Sequence, residues 1–365
     1  MIGVVEAFSP TYAQARQKFL SGCMAAGLRA QAHVHPLQGR EGEALAMDVA
    51  LDGSPDARHL LVLSSACHGM EGHCGSGVQV FALHDEEWRA KAREAGVAVL
   101  YVHALNPHGF SHGRRVTHEN VDLNRNFLDF AQPLPVNAAY AQLHELLLPR
   151  TWPPTSENQA AIDAWIAAHG IKAYQAAVTA GQYQFPDGLF FGGQAPSWSN
   201  TTFRKVLREH AVRAQKLAWI DLHTGLGPNG HGERIFACRD DKAAYARAND
   251  WWGGEHAVTS FYDGSSTSAL LNGLLCNSVY EECPQAEFIA IALEYGTLPM
   301  LEVTTALRAD HWMHKHPGQA TPEQAGAIRQ QMREAFYTDT DAWKGQIISQ
   351  ARQAMFQAVD GLAQG

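Results

Sequence analysis

Four short apolar runs divide the chain. His59–Ser65 (HLLVLSS), Val97–His103 (VAVLYVH), Leu217–Leu222 (LAWIDL) and Phe288–Leu293 (FIAIAL) show little polar alternation, the pattern of strands buried on both faces. Ala32–His35 and Ala44–Leu51 alternate in part, with Gly39 and Gly42 turning the chain between them, and also read as strands. Helical spacing fills the intervals. Tyr12, Ala15, Phe19 and Cys23 recur at intervals of three and four after Ser9-Pro10, which predicts a capped amphipathic helix with Pro10 at its first position. Ser76–Leu83, Glu86–Ala95, Ala138–Leu148, Asn158–Ala168, Thr201–Gln215 and Lys242–Trp252 read as helices, and the tail from about Pro299 to Leu362 as three more. Buried strands alternating with helices imply an α/β fold around a largely parallel or mixed sheet. Phe130–Trp198 is rich in proline, yet the strands on either side form one alternating series. The expectation is a single domain over 1–365 with a helical insertion around 130–200.

Charge and composition narrow the function classes. The 28 Lys+Arg and 37 Asp+Glu leave a formal charge of −9, opposite to the basic excess of a protein that tracks nucleic-acid phosphates. No stretch approaches the roughly 18 apolar residues of a membrane span, and residues 1–19 lack the pattern of a secretory signal. Six cysteines in 365 residues, none in a C-x-x-C pair, are no disulfide scaffold. A cytoplasmic enzyme acting on small molecules is the expectation, with no nucleic-acid or membrane partner; a homo-oligomer remains open. The count of 19 histidines is high and permits a metal site.

Candidate chemistry sits at strand ends, where α/β sheets place their sites. The first buried strand runs into Cys67-His68-Gly69-Met70-Glu71-Gly72. His-x-x-Glu alone is a weak signal, and His84/Glu87 repeats it among surface charges, where it reads as a solvated face. Trp219-Ile220-Asp221-Leu222-His223-Thr224-Gly225 ends a second strand with another histidine. Two imidazoles and one carboxylate are the three-ligand set of a hydrolytic zinc site, whose open fourth position is left for water. Glu294, after six apolar residues, is costly to bury without a partner. It reads as a general base whose pKa is raised by its surroundings and held down by a nearby cation. The polar run Arg114-Arg115 to Asp122-Leu123-Asn124-Arg125 could hold a carboxylate, stabilise an oxyanion and orient an imidazole. His311, His314 and His316 are expected to be a solvated cluster. There is no G-x-S-x-G, and Gly75-x-Gly77 lacks the third glycine of a dinucleotide turn.

Taken in order, these segments resemble the M14 zinc carboxypeptidase superfamily, and within it the DUF2817 type of bacterial M14-like metallopeptidases. The resemblance covers most of the chain, from Tyr12–Phe19 through the His68 and Arg114–Phe127 segments and Gly181-Gln182-Tyr183 to Asp221–Gly227 and Leu293–Gly296. It implies a mixed, twisted eight-stranded sheet between helices, and one Zn2+ per chain held by His68, Glu71 and His223. Glu294 then matches the catalytic base, Asn124 and Arg125 the pair that binds a terminal carboxylate, and Asp122 the aspartate behind the first zinc-bound histidine. Arg115, with Arg114 competing, matches the oxyanion-stabilising arginine. The implied activity is hydrolysis of an amide or peptide bond next to a free carboxylate, on a small peptide or an N-acyl amino acid. An N-acyl-amino-acid deacylase of the aspartoacylase type would share these residues. A non-catalytic zinc-binding member is the third reading, against which the retained Glu294 argues. Met70 stands where the digestive enzymes carry a substrate-binding arginine, and Tyr262 and Tyr280 compete for the place of their mobile tyrosine. Asp263–Thr267 is expected to line the pocket beside the terminal carboxylate.

Overall fold

The computed structural model describes residues 2–364. Its frame is one seven-stranded sheet with strand order β1-β2-β4-β3-β5-β7-β6. The strands are β1 (Ala30–Gln38), β2 (Ala44–Asp52), β3 (His59–Ser64), β4 (Val97–His103), β5 (Lys216–Asn229), β6 (Gly232–Phe236) and β7 (Glu287–Gly296). The four runs expected to be buried on both faces are the four central strands, and they pair in parallel: β3 with β4 and β5, and β5 with β7. Every residue of β4 is buried. The alternating segments became β1 and β2, which attach antiparallel at one edge, while β6 closes the other edge antiparallel to β7. The sheet is therefore mixed.

Two expectations need correction. Seven strands form among the described residues, not eight. The nearest thing to an eighth is a single bridge between Ile235 and Thr259. Beyond it the Ser260 N–H bonds the Ser265 hydroxyl, and the chain turns away from the edge. The first long helix is capped by Thr11, not Ser9. It spans Tyr12–Ala25, and the Thr11 side chain accepts from the Gln14 N–H, as an N-cap hydroxyl does for an otherwise unpaired donor. Pro10 stands before the cap.

Helices cover both faces. Gly72–His84 packs so closely beneath the sheet that a Cβ on Gly75 would lie 2.7 Å from the Ser65 Cβ and 3.3 Å from that of Leu222. On the opposite face Phe203, from the Trp198–His210 helix, sits 5.1 Å from the Trp219 ring. Adjacent residues of a strand point to opposite faces, so Leu222 belongs to the packed side, and Trp219, Asp221 and His223 to the other. The stretch between Phe130 and Trp198 forms three helices, Ala138–Leu147, Ser156–His169 and Ile171–Thr179. Tyr140, Leu143, Ile162 and Tyr174 from them share an apolar cluster with Leu307 and Met332, which belong to the C-terminal helices Met300–Lys315 and Pro322–Phe336.

Candidate metal centre

Three strand ends assemble the site. Past the end of β3 the chain passes Ala66, at φ 55°, and reaches His68; Gly69–Glu71 then make one tight turn. Gly69 is required there, because a Cβ would come within 2.0 Å of the Gly109 carbonyl carbon and 2.5 Å of the Arg114 oxygen. The close approach lets the Gly69 and Met70 N–H groups bond the Arg115 and Arg114 carbonyls, pinning the arginine loop beside His68 and Glu71. On β5, Asp221 and His223 share a face. Register pairs His223 with Glu294 on β7, so the base candidate stands level with the second imidazole.

Glu71 is the hub. Its Oε1 lies 2.8 Å from His68 Nδ1 and its Oε2 lies 3.0 Å from His223 Nδ1, and it accepts the Thr224 N–H at 3.1 Å. Ligand atoms of His68, Glu71 and His223 all fall within 4.8 Å of one another, and all three residues are buried. The far nitrogens of both rings meet carboxylates: His68 Nε2 is 3.2 Å from Asp122 Oδ1, and His223 Nε2 is 2.7 Å from Asp221 Oδ2. A carboxylate on one ring nitrogen fixes the tautomer and leaves the other as a ligand. Arg115 threads this cluster, with Nε 2.9 Å from Asp122, Nη1 3.1 Å from Glu71 and Nη2 2.7 Å from His68 Nε2.

The charges sort the two glutamates. Burial pushes Glu71 up, but the His68 and His223 imidazoles overcome it and hold its carboxyl below the usual range. Glu294 is pushed up to about 8, first by burial and then by the negative Glu71; His223, the Leu226 N–H and Arg115 pull it back only in part. Of two adjacent carboxylates, the one flanked by cations takes the charge and the other keeps its proton to higher pH. Burial lowers the affinity of His223 for a proton, yet Asp221 and Glu71 together raise it well above the ordinary value.

The remaining sequence-derived candidates fall into place unequally. Asn124, Arg125 and Arg115 line one cavity of about 120 Å³ together with His68, Glu71, His223 and Glu294. Arg125 is nearly enclosed: Nε and Nη2 donate to the Thr179 carbonyl and Nη1 to that of Asn124, leaving two of its five N–H groups. Asn124 Oδ1 accepts from the Leu275 N–H, which fixes the amide at the cavity wall. Arg114 is drawn off by Asp310 and Asn120 and does not line the cavity. Neither do Tyr262, which donates to the Cys238 carbonyl, and Tyr280, which accepts from the Arg239 N–H. Met70 is buried in the helical cluster. Of the three histidines expected to form a solvated cluster, His311 departs from the expectation: it is 2% exposed because its helix packs inward, whereas His314 is exposed beside Asp310 and His316 is half-buried.

Sequence reasoning assigned no role to Asp221. Its signal was present, since Asp-x-His on a strand puts both side chains on one face. Behind it, Asp221 Oδ1 accepts from Ser64 Oγ at 2.5 Å, and Ser64 Oγ accepts from the Trp219 indole at 2.6 Å. Phe190 left no such signal. It comes from the stretch between Phe130 and Trp198 and lies 5.1 Å and 5.6 Å from the guanidinium carbons of Arg115 and Arg125, within cation–π range.

The chain belongs to the family described as "Protein of unknown function (DUF2817)", whose model matches residues 8–350. No curated protein matches it. Among solved structures, bovine thrombin-activatable fibrinolysis inhibitor, in complex with tick carboxypeptidase inhibitor, is similar over 97% of this chain and 97% of its own, at 9% identity and a TM-score of 0.51. A metallo-carboxypeptidase from Pseudomonas aeruginosa matches 96% of this chain and 68% of its own, at 14% identity and a TM-score of 0.45. Carboxypeptidase A from Helicoverpa armigera matches 92% and 75%, at 11% and 0.45. At these identities the likeness is one of fold: a mixed α/β sheet flanked by helices.

Proposed function

We propose that this DUF2817 chain is a zinc-dependent hydrolase that cleaves an amide or peptide bond next to a free carboxylate. The observation that carries the reading is the convergence of His68, Glu71 and His223, whose donor atoms fall within 4.8 Å of one another, with Glu294 level with His223 on the next strand. The donor set fits zinc: two imidazole nitrogens, each with the other ring nitrogen on a carboxylate, plus one carboxylate, would leave a fourth position open once the metal replaces the imidazole protons. Zinc in such a site supplies a Lewis acid that polarises a carbonyl and acidifies water.

The protein's own groups do the rest. Glu294 accepts the proton of the attacking water and delivers it to the leaving nitrogen. Asn124 Nδ2 and the two unspent Arg125 N–H groups receive the substrate carboxylate as charge-assisted hydrogen bonds. Arg115 supports the oxyanion that develops on the scissile carbonyl. Asp122 and Asp221 hold the two imidazoles. The 130–200 insertion walls the cavity through Gln175, Thr179 and Phe190, as an embellishment of one domain. Short peptides and N-acyl amino acids are the substrate classes with the required amide and carboxylate.

Elemental analysis of wild type and His68→Ala tests the reading. About one zinc per chain is expected in the wild type and loss in the variant, together with hydrolysis of N-acylated dipeptides by the wild type alone. Absence of metal from zinc-supplemented wild type would refute it.

A further inference from the structure

Four arginines are buried: Arg89, Arg114, Arg125 and Arg308. Three of them meet carboxylates, Arg89 that of Asp52 at 2.7 Å, Arg114 that of Asp310 at 3.0 Å and Arg125 that of Asp122 at 3.8 Å. Arg308 is 3% exposed and, among the described residues, only neutral groups hold it. Its Nε donates to the Leu147 carbonyl at 2.9 Å, and its Nη2 to the Leu146 carbonyl and Asn158 Oδ1, both at 3.0 Å. The Trp152 ring lies 5.6 Å from the guanidinium carbon. The two carbonyls end the Ala138–Leu147 helix, where partial negative charge gathers. These contacts use Nε and Nη2, and leave Nη1 without a protein partner. A full charge taken out of water is costly unless an opposite charge answers it.

A second cavity, of about 60 Å³, opens at this arginine. Leu301, Thr304, Thr305 and Arg308 line it from one face of the Met300–Lys315 helix, and Ile162 and Ile166 from the facing helix of the insertion. Tyr174 completes the lining; it is 2% exposed, and its hydroxyl bonds no other group among the described residues. A buried Tyr hydroxyl ordinarily finds a partner. Burial lowers the pKa of Arg308, and the nearby Tyr174 opposes that shift. The other hydroxyls are spent: Thr304 donates to the Met300 carbonyl and Thr305 to that of Leu301. Asp163, which also borders the cavity, is exposed and takes the Gln159 amide at 2.9 Å. The buried donors left to a ligand are therefore Arg308 Nη1 and the Tyr174 hydroxyl. At about 30 Å³ per water, the space admits a group of two to four heavy atoms.

We propose that this interhelical cavity is a binding site for a small singly charged anion, a carboxylate or a halide, held by Arg308 and Tyr174. The bound anion supplies the counter-charge that Arg308 lacks and fastens the insertion to the Met300–Lys315 helix. Thr304 of that helix borders both this cavity and the metal centre's, yet the site is separate from the metal centre and does not rest on the hydrolase reading.

The test has two parts. Crystals of the protein soaked in sodium bromide locate the ion by anomalous scattering; it is expected within hydrogen-bond reach of Arg308 Nη1 and the Tyr174 hydroxyl. Thermal unfolding is then followed at constant ionic strength against sodium acetate, sodium chloride and neutral acetamide, in wild type, Tyr174→Phe and Arg308→Gln. Acetate or chloride is expected to stabilise the wild type along a saturating curve that acetamide does not reproduce. Tyr174→Phe should weaken the apparent affinity by about tenfold, and Arg308→Gln should abolish it. Any stabilisation from anions at the metal centre is common to all three proteins and cancels. Arg308→Gln could loosen the helix end it caps, so Tyr174→Phe, which loses one oxygen, is the deciding variant. The more strongly stabilising anion identifies the source, carboxylate or halide. Bromide found only elsewhere would overturn the proposal. So would identical anion curves in wild type and Tyr174→Phe, which would mean binding at crystal concentration only.

Discussion

Asp221→Asn isolates the part of the site that the ligands alone do not explain. The substitution keeps the size of the side chain and a carbonyl oxygen for His223 Nε2, but removes the charge. In the wild type this contact is 2.7 Å, and the carboxylate is itself fixed by Ser64 Oγ at 2.5 Å, which the Trp219 indole holds at 2.6 Å. The whole chain is buried, so water cannot replace a lost partner cheaply. Loss of a carboxylate behind a ligating histidine costs about 10- to 100-fold in metal affinity, which is about 1.4 to 2.8 kcal/mol. Most of that loss should come from the charge, because the neutral oxygen still accepts. Ser64→Ala should cost less than Asp221→Asn, since it loosens the carboxylate without removing it. The assay is zinc affinity by competition with a chromogenic chelator, read beside thermal unfolding of the zinc-free proteins. A metal affinity unchanged in Asp221→Asn, with the fold intact, would show that His223 needs no such support and would refute the argument.

Other consequences are open to direct measurement. Glu294→Gln should retain zinc and lower kcat by about 10²- to 10⁴-fold; unchanged turnover would remove Glu294 as the base. Arg125→Ala should raise KM for substrates with a free carboxylate and spare their amidated counterparts, and an equal effect on both would argue against carboxylate recognition. Gly75→Val forces a side chain against Ser65 and Leu222 and should cost about 1–3 kcal/mol in denaturant unfolding; a neutral result would mean that the helix can shift away from the sheet. Asp310 is buried, which by itself raises its pKa, but Arg114 and then His314 hold it below the usual range. Its stabilising effect is therefore present above the unfolded-state value of about 3.9 and lost as pH falls through the lower folded value. Asp310→Asn should be destabilised by about 3 kcal/mol near neutrality, and the gap to wild type should close in acid. A gap that stays constant from pH 6 to pH 3 would disprove the linkage.

The central sheet was legible because each of its four parallel strands carries a short apolar run between helical segments, so one signal repeats. Lys242–Trp252 formed with the expected bounds, since Asp241 accepts from the N–H groups of Ala243 and Ala244. Weaker signals failed for identifiable reasons. β6 is five residues long, and Glu233 and Arg234 interrupt it; its strand character comes from pairing with β7, which a local pattern does not contain. Ser9 and Thr11 are both good caps, and only the path of the chain chooses Thr11.

The site divides along the same line. His68, Glu71, His223 and Glu294 could be picked out as candidates because each follows an apolar run, and a parallel sheet brings such runs together. Arg115 and Arg114 are neighbours of identical chemistry, and nothing in their order separates them. What separates them is Asp310, 196 residues away, which draws Arg114 off and leaves Arg115 for Glu71 and Asp122. Phe190, Ala290 and Ala292, which line the cavity, were invisible for a related reason. An alanine on a buried strand has the same sequence signature whether a core side chain or a substrate occupies the space above it. Only the register, which sets Ala292 beside Asp221 and Ala290 beside Trp219, makes those small residues part of a cavity.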